Sequence, residues 1–122
     1  MQFQKETSEA SVSIKAYQPG SIKLNIGSFE SPVFLVNGEL HEFDGATIFE
    51  ELTAEKLVLN IREKPEILII GTGAEHQMLS VELTKIINKM GVAVEAMASR
   101  QACHTYQVLT FEQRRVSVLI YP

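Results

Sequence analysis

Apolar positions along this chain change spacing near Thr53, from a period of two to a period of about 3.6. Upstream, Val12, Ile14 and Ala16 alternate with Ser13, Lys15 and Tyr17, and after Pro19-Gly20 the residues Ile22, Leu24 and Ile26 alternate with Lys23 and Asn25. That alternation predicts an antiparallel hairpin. Val33 to Val36 reads as an apolar strand, and Asn37-Gly38 is a strong hairpin turn leading into Glu39 through Phe43 and the Asp44-Gly45 turn. The N-terminal half is therefore a meander of short strands.

Downstream, Leu57, Val58 and Ile61 share one helical face that Pro65 ends, with Thr53 as N-cap and Leu52 and Leu57 at the two positions of a hydrophobic staple. A second helix is capped by Ser80, presents Leu83, Ile86, Ile87 and Met90 to the core, and stops at Gly91. A third begins at a Ser99 cap and places Ala102, Cys103, Tyr106 and Leu109 on a common face. Three apolar strands alternate with these helices, residues 66–70 and 92–97 between them and residues 116–121 after the last. The C-terminal half reads βαβαβ.

The segment from Pro65 to Arg100 locates a candidate site. Glu66-Ile67-Leu68-Ile69-Ile70 is apolar enough for a parallel strand covered on both faces, and Gly71-Thr72-Gly73 permits a tight exit at its carboxyl end. Crossovers of this kind are nearly always right-handed, so strands 66–70 and 92–97 should lie parallel with their carboxyl ends at one edge. Open α/β sheets bind ligands at such edges. Gly71, Thr72, Gly73 and His76 from the first loop, and Ser99 and Arg100 from the second, are the candidate ligand-binding residues.

Composition narrows the classes. The 122 residues are 45% hydrophobic and 21% charged, which suits one folded domain, expected over residues 12–122 behind a flexible segment 1–11. A net charge of -4 offers no general attraction to nucleic acid or anionic lipid. Cys103 is the one cysteine, so no internal disulfide can form, and no Cys/His spacing resembles a metal site. Residues 1–10 resemble neither a secretory signal nor a mitochondrial presequence, and no apolar run approaches the ~20 residues that span a bilayer. The expectation is a cytoplasmic protein with no metal, no cofactor, no nucleic-acid partner and no membrane insertion.

Several short motifs, in a fixed order, resemble the Mth938-like domain family, a family of unknown function whose relatives include a mitochondrial complex I assembly factor. They are Ile14-Lys15-Ala16-Tyr17 with Pro19-Gly20-Ser21-Ile22, Pro65-Glu66 leading to Ile69-Ile70-Gly71-Thr72-Gly73, Glu95-Ala96-Met97, and Ala102-Cys103-His104-Thr105-Tyr106 followed by Leu109, Glu112 and Arg114. Together they cover roughly residues 12 to 120. The chain departs from the family pattern at Gln107, where Asn is usual, and at Phe43, where Trp is usual. The resemblance implies a single three-layer α/β domain with a mixed sheet, N-terminal β-hairpins and the C-terminal βαβαβ unit. It implies no established catalytic activity and transfers no catalytic residue.

The candidate chemistry is sparse. Gly71-Thr72-Gly73 begins a dinucleotide fingerprint, but His76 stands where the third glycine belongs, and no Gly-Lys-Ser/Thr completes a phosphate loop. Arg100 in the first turn of a helix opposes the dipole, so it either helps Ser99 and free backbone donors hold a weak carboxylate or phosphate, or it is solvated or paired with Glu75. Cys103 and His104 are neighbours on a helix and diverge by about 100°, so they do not form a nucleophile-base pair, and burial is the better reading of the thiol. Glu112 and Arg114 flank the last strand as a candidate ion pair. Two classes follow: a non-catalytic protein-binding or assembly-factor-like domain, or a small-anion-binding or enzymatic domain that uses the crevice.

Overall fold

The computed structural model describes residues 11–61 and 63–122. Its strands are β1 (Ile14–Gln18), β2 (Ser21–Leu24), β3 (Gly27–Phe29), β4 (Val33–Val36), β5 (Glu39–His41), β6 (Ile67–Gly71), β7 (Ala93–Met97) and β8 (Val116–Ile120). A 3-10 turn at Phe49–Glu51 precedes helices α1 (Ala54–Asn60), α2 (Val81–Lys89) and α3 (Ser99–Phe111). Residues 1–10, and with them nearly all of the segment expected to be flexible, lie outside the described residues.

Two sheets result. β1, β2 and β3 form an antiparallel meander, and the other five strands form a mixed sheet in the order β5-β4-β8-β6-β7. β6 and β7 run parallel from Ile67↔Ala93 to Gly71↔Met97, while β8 runs parallel on the other side of β6 and antiparallel to β4. The C-terminal βαβαβ expectation holds, with β6 and β8 in the interior of the sheet.

Alternation sorts side chains between two cores. Val33, Leu35, Ile69, Val116, Val118 and Ile120 face Ala102, Cys103 and Tyr106 of α3 together with Ile14, Tyr17, Ile22 and Leu24 of the small sheet. Phe34, Val36, Leu68, Ile70 and Leu119 face the opposite way, onto Leu57 of α1 and Leu83 and Ile87 of α2. Three layers are the outcome, and the apolar runs in β6 and β8, interrupted in β8 by the buried Ser117, follow from burial on both faces. Each of the larger aliphatic side chains contributes about 1.5–3 kcal/mol by leaving water.

The caps of α1 and α2 form as their sequences predict: Thr53 Oγ1 accepts from the Lys56 amide at 3.2 Å and Ser80 Oγ from the Leu83 amide at 3.0 Å. Other details differ. β2 stops at Leu24 and leaves Ile26 57% exposed, because the Asn25 carboxamide turns the chain by accepting from the Ser13 amide and donating to the Ser11 carbonyl. The extra strand β3 then pairs back on β2. Val58 and Ile86, expected in the core, are exposed, since Leu57, Leu83 and Ile87 fill the interface with the sheet. β5 ends at His41, two residues before Phe43, which leaves the strand to pack edge-on against Phe34 with ring centroids 5.5 Å apart.

Candidate functional site

Gly71, Met97 and Ile120 mark the carboxyl edge of the parallel strands. From β6 the chain turns to α2 on one face, and from β7 to α3 on the other, which is the switch point where α/β sheets open a crevice. Here the two loops bond each other. The Thr72 amide donates to the Met97 carbonyl at 2.9 Å, the Ser99 amide to the Gly73 carbonyl at 2.8 Å, and the Gly73 amide to Ser99 Oγ at 2.8 Å. Ser99 Oγ in turn donates to the Tyr121 carbonyl, and the Tyr121 amide donates to the Gly71 carbonyl at 2.9 Å.

Ser99 is thus not the N-cap of α3. Ala98 occupies that position without a side-chain cap, and the Ser99 hydroxyl, one residue inside the helix and fully buried, is committed to Gly73 and Tyr121. Thr72 is equally engaged: Oγ1 donates to the Glu75 carbonyl at 2.7 Å and accepts from the Gln77 amide at 3.0 Å. Gly71 is required for another reason. A Cβ there would stand 2.8 Å from Ser99 Oγ and 3.0 Å from Ser99 Cα.

Arg100 turns toward the small sheet. Its Nη1 donates to the Tyr17 carbonyl at 3.2 Å and its guanidinium lies 5.4 Å from the Tyr17 ring centroid, so its contacts are with Tyr17 rather than Glu75. His76 is exposed. Gly71, Thr72, Gly73 and Ser99 lie together at one edge, where the hydroxyls of Thr72 and Ser99 serve the backbone, while Arg100 serves β1. A cleft of about 390 Å³ flanks Thr72 and Gly73 and is bordered by Glu30 and Glu50, whose negative charges oppose an anion there.

Cys103 is 6% exposed, and burial pushes its thiol up to about 11. Little thiolate forms near neutral pH. Among the described residues no group of three or more His, Cys, Asp or Glu is placed to hold a metal, and no helix is long and apolar enough to cross a membrane.

A larger cavity, about 470 Å³, opens at the opposite end of the sheet, where the start of β1, the β4–β5 turn and the end of α3 converge. Val12, Ile14, Tyr106, Gln107 and Arg114 are among its walls. The Tyr106 hydroxyl accepts from the Gly38 amide at 3.2 Å, and Gln107 Nε2 donates to the Ile14 carbonyl. Arg114 does not pair with Glu112. Its Nε lies 3.2 Å from Glu66 Oε1, and Arg115 Nη1 lies 3.5 Å from Glu66 Oε2, because the turn after α3 carries both arginines to the start of β6. Nothing in the spacing of strands and helices points to this cavity, although Tyr106 and Arg114 belong to the motif series that carries the family resemblance.

The geometry defines a three-layer α/β domain whose switch-point loops are bonded to each other. Residues 14–121 match the family described as protein of unknown function (DUF498/DUF598), and the chain belongs to that family. It is 36% identical over 121 residues to the "13 kDa major membrane protein" of Francisella tularensis subsp. holarctica, covering 98% of both chains. It is 28% identical to NADH dehydrogenase [ubiquinone] 1 alpha subcomplex assembly factor 3 of Danio rerio, covering 98% of this chain and 69% of that one. The solution structure of a Mth938-like domain from Bordetella pertussis superposes with a TM-score of 0.76 at 26% identity, covering 100% of this chain and 92% of the other. The Mth938-like fold expected from the motifs is the fold observed.

Proposed function

We propose that this chain is a non-catalytic, protein-binding domain of the assembly-factor kind, acting in the cytoplasm. The observation that carries the reading is the layer of α1 and α2 with the loop that enters α2, which leaves Leu59 of α1 77%, Met78 of the loop 83% and Val81 of α2 70% exposed, with Val58 and Ile86 also accessible. Exposed apolar side chains are what a protein partner covers, and α3 adds Phe111 at 89%. The name of the zebrafish relative, an assembly factor, agrees with such a role. The second reading, a small-anion or enzymatic domain at Gly71, Thr72, Gly73, His76, Ser99 and Arg100, has less support, because the hydroxyl and guanidinium groups it needs are bonded within the fold.

Affinity capture from native lysate at physiological salt tests the reading, using the wild-type chain and a Leu59→Glu/Val81→Glu variant with matched thermal stability. A stoichiometric partner held by the wild type and lost by the variant supports it. Repeated failure to enrich any protein, with or without cross-linking, overturns it.

A further inference from the structure

We propose that the cavity between the start of β1 and the end of α3 binds a small carboxylate-bearing ligand, held at its mouth by Arg114 and Arg115 and oriented inside by the Tyr106 hydroxyl. The inference is independent of the exposed helical layer. At about 470 Å³ the cavity falls within the range of small-molecule clefts, roughly 300–1,000 Å³, and Val12 and Ile14 give it apolar wall for the body of a ligand.

Its polar groups are unevenly used. Tyr106 is only 3% exposed; its hydroxyl oxygen accepts the Gly38 amide, while its hydrogen is donated to no acceptor among the described residues. A phenolic hydroxyl can accept and donate at once. The Tyr106 hydrogen is therefore available to a ligand oxygen in the cavity. At the mouth a single carboxylate, Glu66, faces two guanidiniums through Arg114 Nε and Arg115 Nη1, and both arginine side chains remain partly open to solvent. The remaining guanidinium N–H groups suit a second carboxylate, for which the planar fork is the matching donor.

Backbone geometry presents these groups. Gln113 adopts φ 64° at the end of α3, a left-handed position usually given to glycine, and the turn it makes returns the Arg114 amide to the Leu109 carbonyl at 3.2 Å. That turn delivers Arg114 and Arg115 to the cavity rim. Asn37, another wall residue, donates from Nδ2 to Glu63 at 2.8 Å, so its carboxamide hydrogen is already committed and the arginines are the donors left for an acid. With a net charge of -4 the chain as a whole does not attract acids, and recognition is local.

Titration with phenylacetate, its uncharged amide phenylacetamide and N-acetyl-phenylalanine, followed by backbone amide shifts, tests the proposal. The acids should give saturable shifts at Val12, Gly38, Gln107 and Arg114 with millimolar dissociation constants, and the amide should bind about tenfold more weakly or not at all. Arg114→Ala/Arg115→Ala, whose side chains are accessible enough to be lost without disturbing the core, should weaken the acids by about tenfold at unchanged thermal stability. Tighter binding of N-acetyl-phenylalanine marks a chain terminus as the source of the carboxylate, and tighter binding of phenylacetate marks a free acid. No saturable shift, equal binding of acid and amide, or indifference to loss of both arginines overturns the proposal.

Discussion

Ser99 and Gly73 hold each other through two hydrogen bonds of 2.8 Å, the Gly73 amide donating to Ser99 Oγ and the Ser99 amide donating to the Gly73 carbonyl. Together they join the loop leaving β6 to the first turn of α3. The same edge that places ligands in other open α/β sheets is here a structural clasp. Its groups are fully buried, so their value lies less in the bonds gained than in the cost of leaving one unmade.

Ser99→Ala should therefore destabilise the domain by about 2 kcal/mol, because the Gly73 amide and the Tyr121 carbonyl both lose a buried partner. Gly71→Ala should cost about 1–3 kcal/mol by overpacking, as its Cβ would press on Ser99 and on Ala102 Cβ at 3.1 Å. Urea denaturation measures both. A Ser99→Ala variant as stable as the wild type would show that the hydroxyl bonds of the clasp contribute nothing.

Cys103 should behave as a packing residue. Cys103→Ala is expected to cost about 1 kcal/mol, and the folded thiol should resist alkylation near pH 7. The pH dependence has a definite sign. Burial raises the folded thiol from its ordinary 9.0 to about 11, so the folded state retains a proton that the unfolded chain loses first. Stability is full below pH 9 and falls as pH rises through about 11, by roughly 2 kcal/mol for this group. Buried Tyr106 and Tyr121 are shifted up by the same cause and add to the alkaline loss. Urea midpoints between pH 8 and 11 should fall less steeply in Cys103→Ala; identical slopes would contradict the assignment.

Tyr106→Phe isolates one bond. Phenylalanine keeps the ring in the core but removes the acceptor of the Gly38 amide, and the expected cost is about 1 kcal/mol. Hydrogen exchange at Gly38 and at Val12, whose amide donates to the Gly38 carbonyl at 2.7 Å, should accelerate. Unchanged exchange at both would place the closure of that turn elsewhere.

Strand and helix placement was legible because the apolar period is strong. The runs at β6 and β8, the hairpin turn at Asn37-Gly38 and the caps at Thr53 and Ser80 all carry local signals that tertiary contacts do not override. The parallel pairing of β6 and β7 followed from connection rules, and so did the meeting of Gly71 with Ser99. What a hydroxyl does at that meeting was not legible. Ser99 and a capping serine have the same sequence signature, and only the approach of Gly73 and Tyr121 distinguishes them. The cavity near Tyr106 was hidden for a related reason, since its walls are distant in sequence and lack a shared period.

Arg100 and Gln107, seven residues apart on α3, reach the same strand, donating to the carbonyls of Tyr17 and Ile14. β1 is an edge strand of the small sheet, and an uncovered edge offers unpaired carbonyls to other chains. The two side chains cover it. Gln107→Asn, one methylene shorter, should lose the Ile14 contact, and Arg100→Lys should keep the charge while losing the guanidinium that lies over the Tyr17 ring. Each is expected to cost about 0.5–1.5 kcal/mol, with faster amide exchange in β1. Arg100→Ala combined with Gln107→Ala should add the two effects and raise the tendency to self-associate at high concentration. Light scattering and exchange measured on the double variant decide the matter: a monodisperse protein whose β1 amides remain protected would show that the edge is guarded by something other than these two residues.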